Sequence, residues 1–286
     1  MMSGENSGSE AMQPDAPMQI DLDAILKARV PKGKRWLVSR PVTALLERLV
    51  RQKDLNRILR EAYPAEGCEF ARRMLEIQNI EVKVQGLEKL ERGKRYIFAS
   101  NHPLGGLDGI TLIAVLGDLY GDEGIWFLVN DLLMNVAPLK PVFLPINKFG
   151  GQGRAAASAI NDAYASAAQI VIFPAGLVSR KQPEGIKDLT WQKAFVAKAM
   201  EFDRDIVPVH FKALNSSFFY NVANWRKQAG VKVNVEQVLL PSELCKASGK
   251  HFEIVFGDPI SVEYLRASGE SAPALAARIR EMVYTL

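Results

Sequence analysis

The chain has 286 residues, of which 48% are hydrophobic and 24% are charged, with a formal net charge of +4. The composition is typical of globular proteins, and the chain is long enough to form one large core. We therefore expect a single domain of the size of a typical enzyme domain. The two cysteines, Cys68 and Cys245, are far apart and in no metal-like spacing, which argues against a disulfide framework and a zinc site. We therefore expect reduced thiols and a cytoplasmic compartment.

The first 20 residues contain no basic region followed by an apolar core, so they do not resemble a secretory signal. We expect a disordered tail over residues 1–20. The longest apolar stretches, "ITLIAVLG" and "IWFLV", are far shorter than the roughly 18 residues that span a bilayer. The sequence predicts a soluble or peripheral protein.

Residues 21–79 form a basic, helical segment in the prediction. The stretch from Lys27 to Arg60 contains eleven basic residues and only two acidic ones. Apolar positions from Leu45 to Leu59 recur at helical spacing. A basic amphipathic helix fits an anionic membrane surface, a solvated helix face packed on the rest of the protein or, with weaker support, a nucleic-acid groove. The pattern alone leaves these alternatives open.

Residues 80–286 alternate between strand and helix patterns and are predicted to form one α/β domain. The predicted strands are "IEVKV", "RYIFAS", "IWFLVN", "PVFLPI", "IVIFP", "IVPVHF" and "HFEIVFGDP". Helical stretches such as "ITLIAVLGDLY" and "WQKAFVAKAMEF" separate most of them. This alternation predicts a mixed, largely parallel sheet flanked by helices, with the chemistry at the carboxyl edge of the sheet.

The first candidate motif is "NHPLGGLDG", which follows a predicted strand and precedes a helix expected after Asp108. Gly105 and Gly106 allow the chain to fold back, so that Asp108 could contact His102. Such an aspartate fixes the tautomer of the histidine and leaves the second ring nitrogen as a base. Alternatively, Asp108 caps the helix and His102 is a turn residue.

Two further motifs also lie where strands end. In "IVIFPAGLVSRK", the basic residues Arg180 and Lys181 and the loop N–H groups suit a phosphate or a carboxylate, or they form a solvated basic loop. In "PVFLPINKFGGQGR", Lys148 and Arg154 flank a glycine-rich turn. That turn matches no P-loop or dinucleotide fingerprint and is a weak signal by itself.

Taken together, the blocks "NHPLGGLD", "INKFGGQGR", "FPAGLVSR" and "IVPVHF" resemble, in order, those of the lysophospholipid or glycerolipid acyltransferase family. The likeness covers roughly Ile80 to Pro259. The sequence is similar in particular to a hemolysin-like subgroup with HPxGGxDG and FPAGxxSR blocks. This subgroup includes acyltransferases of bacterial amino-acid-containing lipids. Joint occurrence in order is far more specific than any single block.

The resemblance implies a glycerol-3-phosphate acyltransferase-like fold and direct transfer of an acyl group from acyl carrier protein or coenzyme A to a lysolipid hydroxyl. It further implies an anionic membrane surface at the cytoplasmic face as a partner, and no metal, cofactor or nucleic acid. By residue, it implies a general base pair of His102 and Asp108, substrate contacts from Lys148, Arg154, Gly176, Ser179 and Arg180, and oxyanion or turn roles for Gly105 and Gly106.

Two departures from the family pattern bear on function. Five residues separate His102 from Asp108 where the family usually has four, and Ala175 replaces the family's glutamate. In the family that glutamate helps to organise the glycerol-phosphate site, whereas Ala175 offers no hydrogen bond and no charge, so we expect a lyso-aminolipid acceptor in preference to lysophosphatidate. A catalytically silent lipid- or acyl-binding module of the same fold is the alternative.

Overall fold

The computed structural model describes residues 16–29, 39–130, 133–146, 154–231 and 234–286. Within these ranges the helices are α1 (Leu22–Arg29), α2 (Arg40–Leu49), α3 (Gln52–Ala62), α4 (Gly67–Ile77), α5 (Gly106–Tyr120), α6 (Arg154–Ala165), α7 (Ala194–Phe202), α8 (Ser217–Gln228), α9 (Leu240–Lys246), α10 (Val262–Ala267) and α11 (Ala272–Val283). The strands are β1 (Glu81–Gln85), β2 (Tyr96–Ser100), β3 (Ile125–Val129), β4 (Phe143–Pro145), β5 (Gln169–Ile172), β6 (Arg180–Gln182), β7 (Gly185–Lys187), β8 (Asp205–Lys212) and β9 (His251–Phe256). None of the helices in these ranges has the length and apolar character needed to cross a membrane.

Seven strands form one sheet in the order β1-β9-β8-β2-β5-β3-β4. Neighbouring strands are parallel except β8 and β9, which are antiparallel. The predicted mixed, largely parallel sheet is confirmed, and its seven strands are the seven that the alternation of apolar residues indicated. The hairpin of β6 and β7 is separate from this sheet.

Helices cover both faces of the sheet. Phe98 of β2 belongs to a buried cluster that includes side chains of α3, α4 and α5, whereas its neighbour Ile97 belongs to a second cluster with α6, α7 and α11. Successive strand side chains point to opposite faces, so one buried strand contributes to two apolar layers. Strand β2 therefore lies at the centre of the protein, and its carboxyl end leads into the first candidate motif.

The basic amino-terminal segment is divided between packed and exposed helices. Ile58 on α3 and Phe70 on α4 are buried in the first cluster, whereas Leu45 on α2 is 67% exposed. Residues 30–38, within the predicted basic segment, lie outside the described residues, as do residues 1–15 of the predicted tail. The sequence placed Ile20 in that tail, but its backbone N–H and carbonyl both bond the Asn56 side chain on α3.

A buried arginine ties together the amino edge of the sheet. Arg204 is 0% exposed, directly before β8. Its guanidinium donates five hydrogen bonds to backbone carbonyls, at 2.6–3.3 Å, and the acceptors are Tyr96, Ala163, Tyr164, Ser166 and Ala168. Several of these carbonyls lie at the end of α6, where helical carbonyls have no partner within the helix. Arg204 therefore joins α6, β2 and the start of β5.

Candidate active site

The loop after β2 makes a close turn into α5. Gly105 has a φ of +82°, which side-chain-bearing residues rarely adopt, and a Cβ there would lie 3.0–3.3 Å from Leu240 and Val178 side-chain atoms. The sequence predicted a helix after Asp108, but α5 begins at Gly106. Asp108 therefore lies in the first helical turn, because the glycine pair ends the loop earlier than the apolar pattern suggested.

The structure brings His102 and Asp108 into contact. Asp108 Oδ2 lies 3.2 Å from His102 Nδ1 and also accepts the Leu104 N–H at 3.0 Å. Asp108 is fully buried, whereas the His102 side chain is 19% exposed. One carboxylate oxygen thus contacts the imidazole and bonds the loop backbone ahead of α5. The side chain does not cap α5, because the N–H that it accepts belongs to Leu104, before the helix begins.

The imidazole of His102 is held on its flat side as well. It stacks on Phe173, which follows β5, with ring centroids 4.2 Å apart and the planes 28° from parallel. Within the described ranges, no hydrogen-bond partner is found for Nε2 of His102. A neutral histidine with Nδ1 bonded to a carboxylate presents Nε2 as a general base.

The third block is bonded directly to the first. The Ser179 N–H donates to the His102 carbonyl at 2.8 Å, and the Gly176 N–H donates to the Phe173 carbonyl at 2.9 Å. The Ser179 hydroxyl is buried and donates to Asp188 Oδ1 at 2.6 Å. Ser179 therefore bonds two other parts of the protein. The resemblance implied only a substrate contact for this residue.

Arg180, which was predicted to lie in a loop and to face a phosphate, a carboxylate or solvent, begins β6 instead, and its guanidinium bonds other parts of the protein. It donates to buried Glu236 at 2.9 Å and to the Val178 carbonyl at 2.6 Å. Arg226 on α8 also donates to Glu236, at 2.8 Å. Burial lowers the pKa of Arg180. We name Arg180, Glu236 and Arg226 the arginine–glutamate triad; two cations share one carboxylate, so the group has an excess positive charge.

Most of the second basic motif, "INKFGGQGR", lies outside the described residues. Lys148 lies outside the described residues, and Arg154 is the first residue of α6 with a side chain that is also outside them. Among the side chains that the structure describes, no group of three or more His, Cys, Asp or Glu residues could hold a metal ion.

Reasoning from the sequence missed three residues that shape this region: Phe173, Asp188 and Glu236. Phe173 stood in the quoted "FPAG" block, but its position before the turn did not reveal the stacking on His102. Asp188 lies shortly after the third block, whereas Glu236 is far from every motif along the chain, and both are fully buried. The role of each acid depends on a partner that is remote in the chain, the His102 N–H for Asp188 and the Arg180 guanidinium for Glu236, so neither role has a short-range signal.

Comparison with known proteins gives consistent matches. The acyltransferase family profile matches residues 25–286. The lyso-glycine lipid O-acyltransferase of Bacteroides thetaiotaomicron is 39% identical over 275 residues, which is 96% of this chain and 100% of that protein. A protein of the same name from Phocaeicola vulgatus is 39% identical over 276 residues, 96% of this chain and 98% of that one. The crystal structure of the 1-acyl-sn-glycerophosphate (LPA) acyltransferase from Thermotoga maritima matches with a TM-score of 0.48 and 14% identity, over 91% of this chain and 84% of that one.

Proposed function

This chain belongs to the acyltransferase family, and we propose that it transfers a fatty acyl group from an acyl thioester to the hydroxyl group of a lysolipid. The observation that carries this proposal is the contact between His102 Nδ1 and the buried Asp108 carboxylate at the carboxyl edge of the sheet. That arrangement provides an oriented base beside a helix amino terminus, which direct acyl transfer needs.

The reaction follows from this geometry. Nε2 of His102 takes the proton of the acceptor hydroxyl as its oxygen attacks the thioester carbonyl carbon. Asp108 keeps the ring oriented and stabilises the imidazolium. The tetrahedral intermediate then breaks its C–S bond, the acyl group stays on the acceptor oxygen, and the imidazolium returns the proton to the departing thiolate.

The developing oxyanion needs hydrogen-bond donors. The N–H groups of Gly105 and Gly106 lie at the amino end of α5, where helical N–H groups have no partner within the helix. The helix dipole also favours negative charge at this end. We assign the oxyanion to this turn, with Gly106, the exposed member of the pair, as the better placed donor.

We propose that the acceptor is a lyso-aminolipid with a carboxylate headgroup, as the names of the two bacterial relatives suggest. Ala175 supports this, since it lacks the hydrogen bond and the charge of the family's glutamate, and a carboxylate headgroup loses less from that change than a glycerol phosphate does. The arginine–glutamate triad adds an excess positive charge next to Ser179. Because the Arg180 guanidinium already bonds Glu236, we expect it to act by its charge rather than as a bidentate clamp.

A competition assay tests the proposal. The purified enzyme receives lyso-glycine lipid and lysophosphatidate at equal concentration, with acyl carrier protein and coenzyme A thioesters in separate arms, and products are identified by mass spectrometry. We expect the ester of the lyso-glycine lipid to dominate. A tenfold preference for lysophosphatidate would contradict the acceptor, and no ester from either acceptor would contradict the reaction.

A matched pair of variants isolates the effect of charge at position 175. Ala175→Glu and Ala175→Gln add side chains of similar size, but only glutamate adds a negative charge. We expect kcat/KM for lyso-glycine lipid to fall about tenfold further in Ala175→Glu than in Ala175→Gln, equivalent to about 1.4 kcal/mol. Equal losses in the two variants would mean that space, not charge, decides.

We also propose that the enzyme works at the cytoplasmic face of an anionic membrane, because its acceptor is a lipid. Helix α2 supports this proposal. Its Val42, Leu45 and Leu49 side chains are all exposed, and Arg40 and Arg48 lie on the same helix. Exposed apolar side chains with flanking cations are typical of helices that rest on anionic lipid.

Vesicle binding tests this surface. We expect Leu45→Ser to weaken binding to phosphatidylglycerol-containing vesicles several-fold, and higher salt to weaken the wild-type interaction, since the Debye length is about 8 Å at physiological ionic strength. Trp225→Ser is the matched control, because Trp225 on α8 is 60% exposed and outside the basic segment. Loss of vesicle binding in Trp225→Ser but not in Leu45→Ser would show that α8, and not α2, contacts the membrane.

A further inference from the structure

Asp188, directly after β7, carries a fully buried carboxylate surrounded by donors. Its Oδ1 accepts the backbone N–H of His102 at 3.1 Å and the Ser179 hydroxyl at 2.6 Å. Its Oδ2 accepts the Trp191 indole N–H at 2.9 Å. Burial raises the pKa of Asp188, and these hydrogen bonds oppose that effect.

These contacts hold the His102 backbone on both sides. The His102 N–H bonds Asp188, and the His102 carbonyl accepts the Ser179 N–H at 2.8 Å. Asp108 and Phe173 fix the ring itself. Asp188 is thus the side chain that joins the loop after β2, which carries the base, to the loop after β5.

Asp188 is in turn fixed through its own backbone. Its N–H donates to the Tyr284 hydroxyl at 2.6 Å, and its carbonyl accepts from Gln182 Nε2 at 2.9 Å. Arg280 on α11 donates to the same carbonyl at 2.5 Å. The carboxylate therefore has a set position, determined by α11 and the β6–β7 hairpin.

We propose that Asp188 is a positioning residue of the acyl transfer, whose carboxylate holds the backbone of His102 so that the imidazole meets the acceptor hydroxyl. This inference rests on the proposed role of His102 as general base. All three groups that face the carboxylate are donors, and a carboxylate accepts from every direction, whereas an amide would turn an NH₂ group towards one of them. The negative charge near His102 also favours the imidazolium formed during transfer.

The test compares Asp188→Asn with Asp205→Asn. Asp205, at the amino edge of the sheet, is also a buried aspartate that accepts a backbone N–H, that of Val262 at 3.0 Å, but it does not bond His102. We expect Asp188→Asn to lower kcat of the folded enzyme by about 10- to 100-fold with KM nearly unchanged, because small displacements of a catalytic group cost rate of this order. Asp205→Asn should lower stability and leave kcat unchanged.

A spectroscopic measurement separates positioning from general damage. The chain has three histidines, so selective ¹⁵N labelling gives few imidazole signals. We expect the His102 signals to shift in Asp188→Asn and to stay in place in Asp205→Asn. Unchanged His102 signals with kcat within twofold of wild type would overturn the proposal, as would an equal fall in kcat in both variants.

If Asp188→Asn does not fold, Ser179→Ala provides a second variant. It removes one of the three donors that fix the carboxylate and leaves Asp188 in place, so we expect a several-fold fall in kcat at constant KM. A wild-type kcat in Ser179→Ala would contradict the proposal. Activity of the wild-type enzyme is measured first, because its absence would contradict the proposed function and not the role of Asp188 alone.

Discussion

The two edges of the sheet use buried charge in opposite ways. At the amino edge, the Arg204 guanidinium makes five hydrogen bonds to backbone carbonyls and is 0% exposed. At the carboxyl edge, Asp108 and Asp188 are equally buried, but the side chain of His102, whose ring contacts Asp108 and whose backbone N–H bonds Asp188, is partly exposed. A guanidinium has five N–H donors, so Arg204 has none left for another molecule.

The difference indicates how a fold separates stability from chemistry. A buried charge whose hydrogen bonds are all made stabilises its neighbours and can do nothing else. A reactive group must keep one atom available, which requires its other atoms to be fixed by their surroundings. We therefore expect substitutions at the amino edge to change stability and those around His102 to change rate.

The largest expected effect is on rate. His102→Ala should lower kcat/KM by at least about 10³-fold, which corresponds to about 4 kcal/mol, while the midpoint of urea unfolding changes little. Asp108→Asn should keep the geometry but lose much of the rate, because an uncharged amide neither fixes the tautomer nor stabilises the imidazolium. Steady-state kinetics with either thioester donor measures both. Near-normal turnover in folded His102→Ala would refute the assignment of the base.

The complementary effect at the amino edge is on stability. Arg204→Met should lower the free energy of unfolding by about 3 to 5 kcal/mol, because buried carbonyls lose their donor. We expect kcat of the remaining folded enzyme to stay within twofold of wild type. Arg95→Met is the control, since Arg95 is less buried and bonds the carbonyls of Ala165 and Phe202. A fall of more than twofold in kcat of the folded Arg204→Met enzyme would contradict the proposed difference between the two edges.

His210 on β8 sharpens the comparison, because it is a titratable group without the bonds that Arg204 makes. Its Nδ1 is buried and has no hydrogen-bond partner among the described residues. Burial, with help from the Lys212 charge, lowers the pKa of His210 to about 4. An ordinary histidine titrates near pH 6.5, so the unfolded chain takes up this proton first as the pH falls.

The free energy of unfolding should therefore decrease as the pH falls from about 6.5 to 4, and His210 contributes to that decrease. We expect His210→Phe, which keeps a ring against Tyr284, to lose about 1 to 2 kcal/mol less than wild type between pH 7.5 and pH 5. Urea unfolding at both pH values measures this difference. An equal change in the free energy of unfolding for the two proteins would contradict this prediction, because it would mean that folding does not hinder protonation of His210.

The sheet was largely predictable because its strands are buried on both faces and are therefore nearly continuous apolar runs. Tyr96–Ser100 is such a run. The antiparallel direction of β9 was not predictable, since alternation in His251–Phe256 gives a strand but not its orientation. The bonds from Arg204 to the end of α6 were not predictable, because an arginine between two aspartates also suits a surface position.

The candidate site was predictable where its residues lie close together along the chain. The contact of His102 with Asp108 spans one glycine turn, and the pattern indicated it. The position of Asp188 depends on donors from three separate loops, and its carboxylate is recognised only once β2 and β5 are adjacent. Arg180 was expected to face a ligand, because a distant acid such as Glu236 leaves no mark near it.

The hydrogen bond between the Tyr284 hydroxyl and the Asp188 N–H links the site to the end of a helix. Tyr284 directly follows the last residue of α11, and final helical turns fray at temperatures at which the rest of a fold is intact. Each fraying event would remove one of the bonds that fix Asp188 and so loosen its hold on the backbone of His102. Heating should therefore inactivate the enzyme reversibly several degrees below the midpoint at which the sheet melts.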